Sequence, residues 1–253
     1  MLNMIQHGAP TGKSPLLIAH GLFGSARNWG VIAKRLSDER QVTAVDMRNH
    51  GISPWFDTHG YEDMAADLAQ VIDAQGGPMN VMGHSMGGKA AMMLALNHPE
   101  QVRRLIVADI APVPYGHQQR HNIAAMRQVD LSQVAKRSDA QQQLAPLLDE
   151  PGLAAFFLQS LDVTARRWRL NLDVLDREMP RILSFPHVDA QFDKPVLFLS
   201  GADSTYVTRD QRPQIKALFP QARFMKIPGA GHWLHAEKPR AFEAALRGWL
   251  DHA

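Results

Sequence analysis

Cysteine is absent from the 253 residues. That excludes a thiol nucleophile, a disulfide framework and a Cys-ligated metal, and it fits a reducing cytoplasm. No apolar run is long enough to cross a bilayer. The first ten residues, MLNMIQHGAP, lack the basic and apolar stretches of a secretory leader. A cytoplasmic protein without a membrane partner is therefore expected. Charge of one sign is also missing: 27 Lys and Arg face 25 Asp and Glu, and no long basic block exists. Electrostatics thus offer no case for nucleic acid. The short run Arg166-Arg167-Trp168-Arg169 reads as a solvated helix face rather than an anion site. The histidines at the carboxyl ends of the strands show no HxxxH or H-x-H spacing, so a metal site is not expected there, and no organic cofactor is implied.

What is present is an ordinary apolar content of 45%, enough for a sizeable core. Short apolar runs alternate with helical patterns. Leu16 to Ala19, Val42 to Val45, Asn80 to Met82 and Leu105 to Ala108 read as strands. Between them, Trp29, Ile32, Ala33 and Leu36 recur at helical spacing, as do Tyr61, Met64, Ala65, Leu68, Val71 and Ile72. This order predicts an α/β fold, a mostly parallel central sheet flanked by helices. From Pro112 strand-like runs vanish, and the rhythm returns at Pro195 to Leu199 and Phe224 to Ile227, followed by a helix bearing Phe242, Leu246 and Trp249. The expected organisation is a core of residues 1–111 and 191–253, with a helical insertion at 112–190 over the carboxyl ends of the strands.

In such a sheet the ligand crevice lies at those carboxyl ends. HGLFG, DMRNHG, GHSMGG and GAGHWLH all fall there. Gly83-His84-Ser85-Met86-Gly87 has the G-x-S-x-G form of a nucleophile elbow, a strained turn that lifts a serine clear of the backbone. A serine hydroxyl attacks only when a base takes its proton. The base is expected on a late loop, which points to His232 between strand and helix; His84 and His235 read as structural. The N–H of Met86, opening a helix, and that of Leu22, with Phe23 as the alternative, are the candidate oxyanion donors. His20 reads as a brace for that loop and His50 as its neighbour. Two residues compete for the acid: Asp109 at the end of the strand after the elbow helix, and Asp203 in Ser200-Gly201-Ala202-Asp203-Ser204.

Taken together, DMRNHG, GHSMGGK and GAGHWLHAEKP resemble the α/β-hydrolase superfamily over nearly the whole chain, and within it the bacterial YbfF-type esterases and their mitochondrial relatives. The resemblance implies the α/β-hydrolase fold, a helical cap at the insertion, Ser85 as nucleophile, His232 as base, and activity on esters or thioesters, acyl-CoA included. It also favours Asp109: that subfamily commonly has no carboxylate in the loop holding Asp203, although this chain departs from the pattern there. The expected partner is a small ester or thioester. A carbon–carbon bond hydrolase or cofactor-free haloperoxidase, which can retain Ser and His, and a non-catalytic small-molecule receptor are the alternatives. Within the cap, Phe156, Phe157, Leu158, Leu161 and Trp168 read as the cap's own core ahead of an acyl pocket. Arg166, Arg167 and Arg169 are the residues that would meet a CoA phosphate.

Overall fold

A computed structural model describes residues 1–116, 119–150 and 152–252. Its main sheet is built from β1 (Met4–His7), β2 (Leu16–Ala19), β3 (Val42–Val45), β4 (Met79–His84), β5 (Val102–Ala108), a later Val196–Gly201 and a final Ala222–Ile227. Two strands of the insertion intervene, β6 (Leu161–Asp162) and β7 (Arg167–Trp168), so the last two of the main sheet are β8 and β9. The main-sheet order is β1-β3-β2-β4-β5-β8-β9. Every pairing is parallel except the edge pair β1–β3.

The apolar runs are continuous because both faces of the sheet are covered. Leu17, Ala19, Val81, Leu105, Val107 and Phe198 bury on one face with α2 (Tyr61–Ala74) and α3 (Met86–Asn97). Leu16, Ile18, Met82, Ile106 and Leu197 bury on the other, against α1 (Gly30–Leu36) and the C-terminal helix Pro239–His252. The alternation is the period of two that an extended chain imposes.

Between β5 and β8 lie α4 (Arg120–Gln128), α5 (Arg137–Leu144), α6 (Gly152–Phe157), α7 (Leu172–Arg177) and α8 (Met179–Leu183). This segment is not wholly helical, as its sequence suggested. Leu161 pairs with Trp168 and Asp162 with Arg167 across a hairpin whose turn puts Arg166 at φ 49°. The run from Arg166 to Arg169 is therefore strand and turn rather than a helix face. Each strand of the hairpin is only two residues long, too short to register as a period. Arg169 turns back to pair with Asp162 at 2.9 Å. Phe157, Leu158, Leu161 and Trp168 are buried, and the Trp168 indole N–H donates to the Met126 carbonyl at 3.0 Å. Phe156 is only half-buried and meets the Trp233 ring at 4.5 Å, so the insertion touches the core above the sheet's carboxyl edge.

Candidate active site

Ser85 joins β4 to α3 with φ 52° and ψ −120°. A non-glycine residue rarely adopts that backbone, and the surroundings must hold it. The flanking glycines make the turn possible. A β-carbon on Gly83 would lie 2.0 Å from the Gly87 carbonyl oxygen, and one on Gly87 would lie 2.5 Å from the carbonyl oxygens of Ala19 and His20. The elbow is thus wedged against the end of β2. Ser85 consequently projects from the carboxyl edge with the first amides of α3 behind it.

His232 sits in the loop after β9. Its Nε2 lies 3.1 Å from Ser85 Oγ, and its Nδ1 lies 2.7 Å from Asp109 Oδ2. A carboxylate can only accept, so Nδ1 carries the proton and Nε2 is left to receive one from the serine. Asp109 directly follows β5 and is wholly buried, at φ 51°. Its oxygens also accept from the Gly201 amide at 3.1 Å and from the Ser204 hydroxyl at 2.5 Å. Asp203 is exposed, and its amide bonds the Ala230 carbonyl. The loop after β8 therefore presents Ser204 to the Asp109 carboxylate and turns the Asp203 side chain outward.

The loop after β2 is fixed from below. His20 donates from Nδ1 to the Gly21 carbonyl at 2.7 Å and accepts the Met47 amide on Nε2 at 2.9 Å. His50 donates from Nδ1 to the Arg48 carbonyl and accepts the Phe23 amide on Nε2 at 3.1 Å. The Phe23 N–H, the alternative oxyanion donor, is thereby committed to His50. Burial pushes both imidazoles below the usual histidine range, which keeps them neutral and able to accept. His84 is likewise buried, held well below its ordinary pKa by burial and by the neighbouring His232 and His235. It donates from Nε2 to the His232 carbonyl at 2.9 Å. A neutral donor there anchors the histidine loop without placing a positive charge beside His232. His235 stacks on Trp29 at 4.2 Å.

A cavity of about 360 Å³ opens beside Ser85, within the range of small-molecule sites. Leu22, Met86, Phe156, Ile182 and Trp233 are among its walls. Several of its residues carried no clear signal in the sequence. The Tyr206 ring stacks on His232 with centroids 3.9 Å apart and planes 17° off parallel. Burial pushes its phenol up to about 12. The Tyr115 hydroxyl donates to the Tyr206 carbonyl at 2.6 Å and accepts the Ala111 amide. Lys89 is buried on α3, and its desolvated amine is pushed down to about 7. Lys89 ends the GHSMGGK stretch, but nothing in that spacing says where its amine goes. Among the described residues, no group of three or more His, Asp or Glu is arranged to hold a metal ion, and no helix is long and apolar enough to cross a membrane.

A solvent-reachable serine on a strained elbow, a buried aspartate and a histidine between them is the arrangement of a serine hydrolase. The alpha/beta hydrolase fold family matches residues 14–239. Esterase YbfF of Escherichia coli is 42% identical, over 94% of this chain and 94% of its own length. The sn-1-specific diacylglycerol lipase ABHD11 of Mus musculus is 40% identical, over 93% of this chain and 80% of its own. A solved marine microorganism esterase superposes with a TM-score of 0.92 at 39% identity, covering 98% of both chains. The chain belongs to the alpha/beta hydrolase fold family. Within it, the chain is an enzyme of the carboxylesterase type.

Proposed function

We propose that this chain hydrolyses carboxylic esters through an acyl-enzyme on Ser85, with His232 as base and then acid and Asp109 holding the imidazole. The observation that carries this reading is the pair of contacts on one ring, 3.1 Å to Ser85 Oγ and 2.7 Å to Asp109 Oδ2. Ser85 Oγ attacks the acyl carbonyl while its proton passes to His232 Nε2. The carbonyl oxygen, now negative, is met by the Leu22 and Met86 amides, each worth on the order of 10²–10³ in rate. The ester C–O bond breaks as His232 returns its proton to the departing alcohol. Water then attacks the acyl-enzyme with His232 again as base, and the acid and free Ser85 result.

Residues 112–190 act in this reading as a cap that closes the acyl side of the cavity. The relatives named as esterase and diacylglycerol lipase support carboxylic ester substrates. The same steps cleave thioesters, acyl-CoA among them. Turnover of p-nitrophenyl esters from acetyl to decanoyl, and of acyl-CoA beside them, tests the reading in wild type and Ser85→Ala. Ester turnover that vanishes in Ser85→Ala is the expected result. A Ser85→Ala protein with wild-type turnover would overturn it.

A further inference from the structure

Lys89 carries a buried amine that the steps above leave unused. It stands four residues beyond Ser85 on α3, which is about 6 Å along the helix axis. Its Nζ donates to the Leu183 carbonyl at 3.1 Å and to the Ser184 carbonyl at 2.6 Å. They belong to the last residue of α8 and the extended residue that follows it. Two further donors act on the same turn, one from α2 and one from the start of the inserted segment. The Tyr61 hydroxyl, from α2, donates to the Ile182 carbonyl at 2.5 Å, and the Tyr115 amide donates to the Leu183 carbonyl at 2.9 Å. Three successive carbonyls at a helix C-terminus, which have no partners within the helix, are thus all held by donors outside it. A lysine amine suits that end of a helix, because its N–H groups can meet the last carbonyls. The Lys89 Nζ is also seated 4.8 Å over the Tyr115 ring and 5.7 Å over the Tyr61 ring.

The segment so held is a wall of the cavity, because Ile182 and Leu183 face it. We propose that Lys89 is a positioning residue that fixes this wall relative to Ser85, and so selects esters by the length of their acyl chain. The inference rests on the ester-hydrolase reading for its consequence, though not for the clamp itself. Ser85 and this wall line the same cavity, so in this proposal a longer acyl chain meets the wall and an acetyl group does not. Releasing the three carbonyls lets the wall drift, and a displacement of one ångström is enough to cost productive binding of a group that touches it.

The test compares Lys89→Met and Tyr61→Phe with wild type on p-nitrophenyl acetate and octanoate. Lys89→Met keeps the length and apolar stem but loses the donors. For it, kcat/KM falls about tenfold or more on octanoate, chiefly through KM, against about threefold or less on acetate. Tyr61→Phe shifts the same ratio in the same direction by a smaller factor, and it carries the test if Lys89→Met does not fold. Hydrogen exchange of residues 179–185 is read in parallel without substrate, and it speeds up by about tenfold in Lys89→Met. Equal losses on both esters would overturn the selective role, since a purely structural lysine lowers all turnover alike. Unchanged exchange at 179–185 would overturn the clamp. A wild type that cleaves no ester would sink the ester-hydrolase reading instead, with the clamp still decided by exchange.

Discussion

Asp109 Oδ2 lies 2.7 Å from His232 Nδ1, across 123 positions of chain. The same carboxylate is held by the Gly201 amide and the Ser204 hydroxyl, so its geometry is set from two strands. Asp109→Asn would keep most of that packing while presenting an amide N–H to the ring, which forces the wrong imidazole tautomer. The expected loss in kcat is about 10⁴, the size seen when a serine protease's aspartate is so changed, with KM little altered. Asp203→Asn, an exposed change, is expected to stay within about twofold. Steady-state kinetics on both variants, with melting curves to confirm folding, decide the matter. The reverse pattern would move the acid to Asp203.

The elbow's glycines make a sharper structural prediction. A β-carbon at Gly87 meets backbone oxygen on β2 at 2.5 Å, and backbone cannot swing aside as a side chain can. Gly87→Ala should therefore lower stability by about 3 kcal/mol and displace Ser85. Gly30, which begins α1 at φ −54°, has no heavy atom from beyond its chain neighbours and its own helix backbone within 4 Å of its β-carbon position. Gly30→Ala should instead stabilise by about 0.4–1 kcal/mol. Urea midpoints for the two variants check both signs. A neutral Gly87→Ala would mean that the elbow is looser than its contacts imply.

The parallel strands were legible because each is a short, wholly buried apolar run ending in a polar or glycine-rich loop. Ser85 and His232 stand out as candidates because an elbow demands glycines around one and a late loop holds the other, and the fold brings them 3.1 Å apart. Strand β1 does not, since Met4–His7 is half-exposed at the edge and pairs antiparallel. The hairpin at Leu161 to Trp168 reads as helix in the sequence, because two-residue strands show no period. Tyr115, Tyr206 and Lys89 were invisible for another reason. Each acts through a carbonyl or a ring far away in the chain, and pairings of that kind leave no local pattern.

Buried histidines give the fold a definite acid sensitivity. His59 is held down at about 3 and His235 at about 4, chiefly by burial; His20, His50 and His84 are lowered for the same main reason. Above pH of about 6.5 these rings are neutral in both folded and unfolded chains and do not alter the balance. As pH falls below that value the unfolded chain takes up protons that the folded chain refuses, so stability declines down to the folded values. Lys89 works in a separate window. Its folded value near 7 against 10.5 means that the unfolded chain binds the extra proton between those limits, so its contribution rises with pH there. The melting temperature should accordingly fall steadily from pH 6.5 towards 4. Lys89→Met should flatten the rise between pH 7 and about 9.5, below the range where tyrosines begin to ionise. A melting temperature that stays level from pH 7 to 5 would show that these rings take up protons inside the fold.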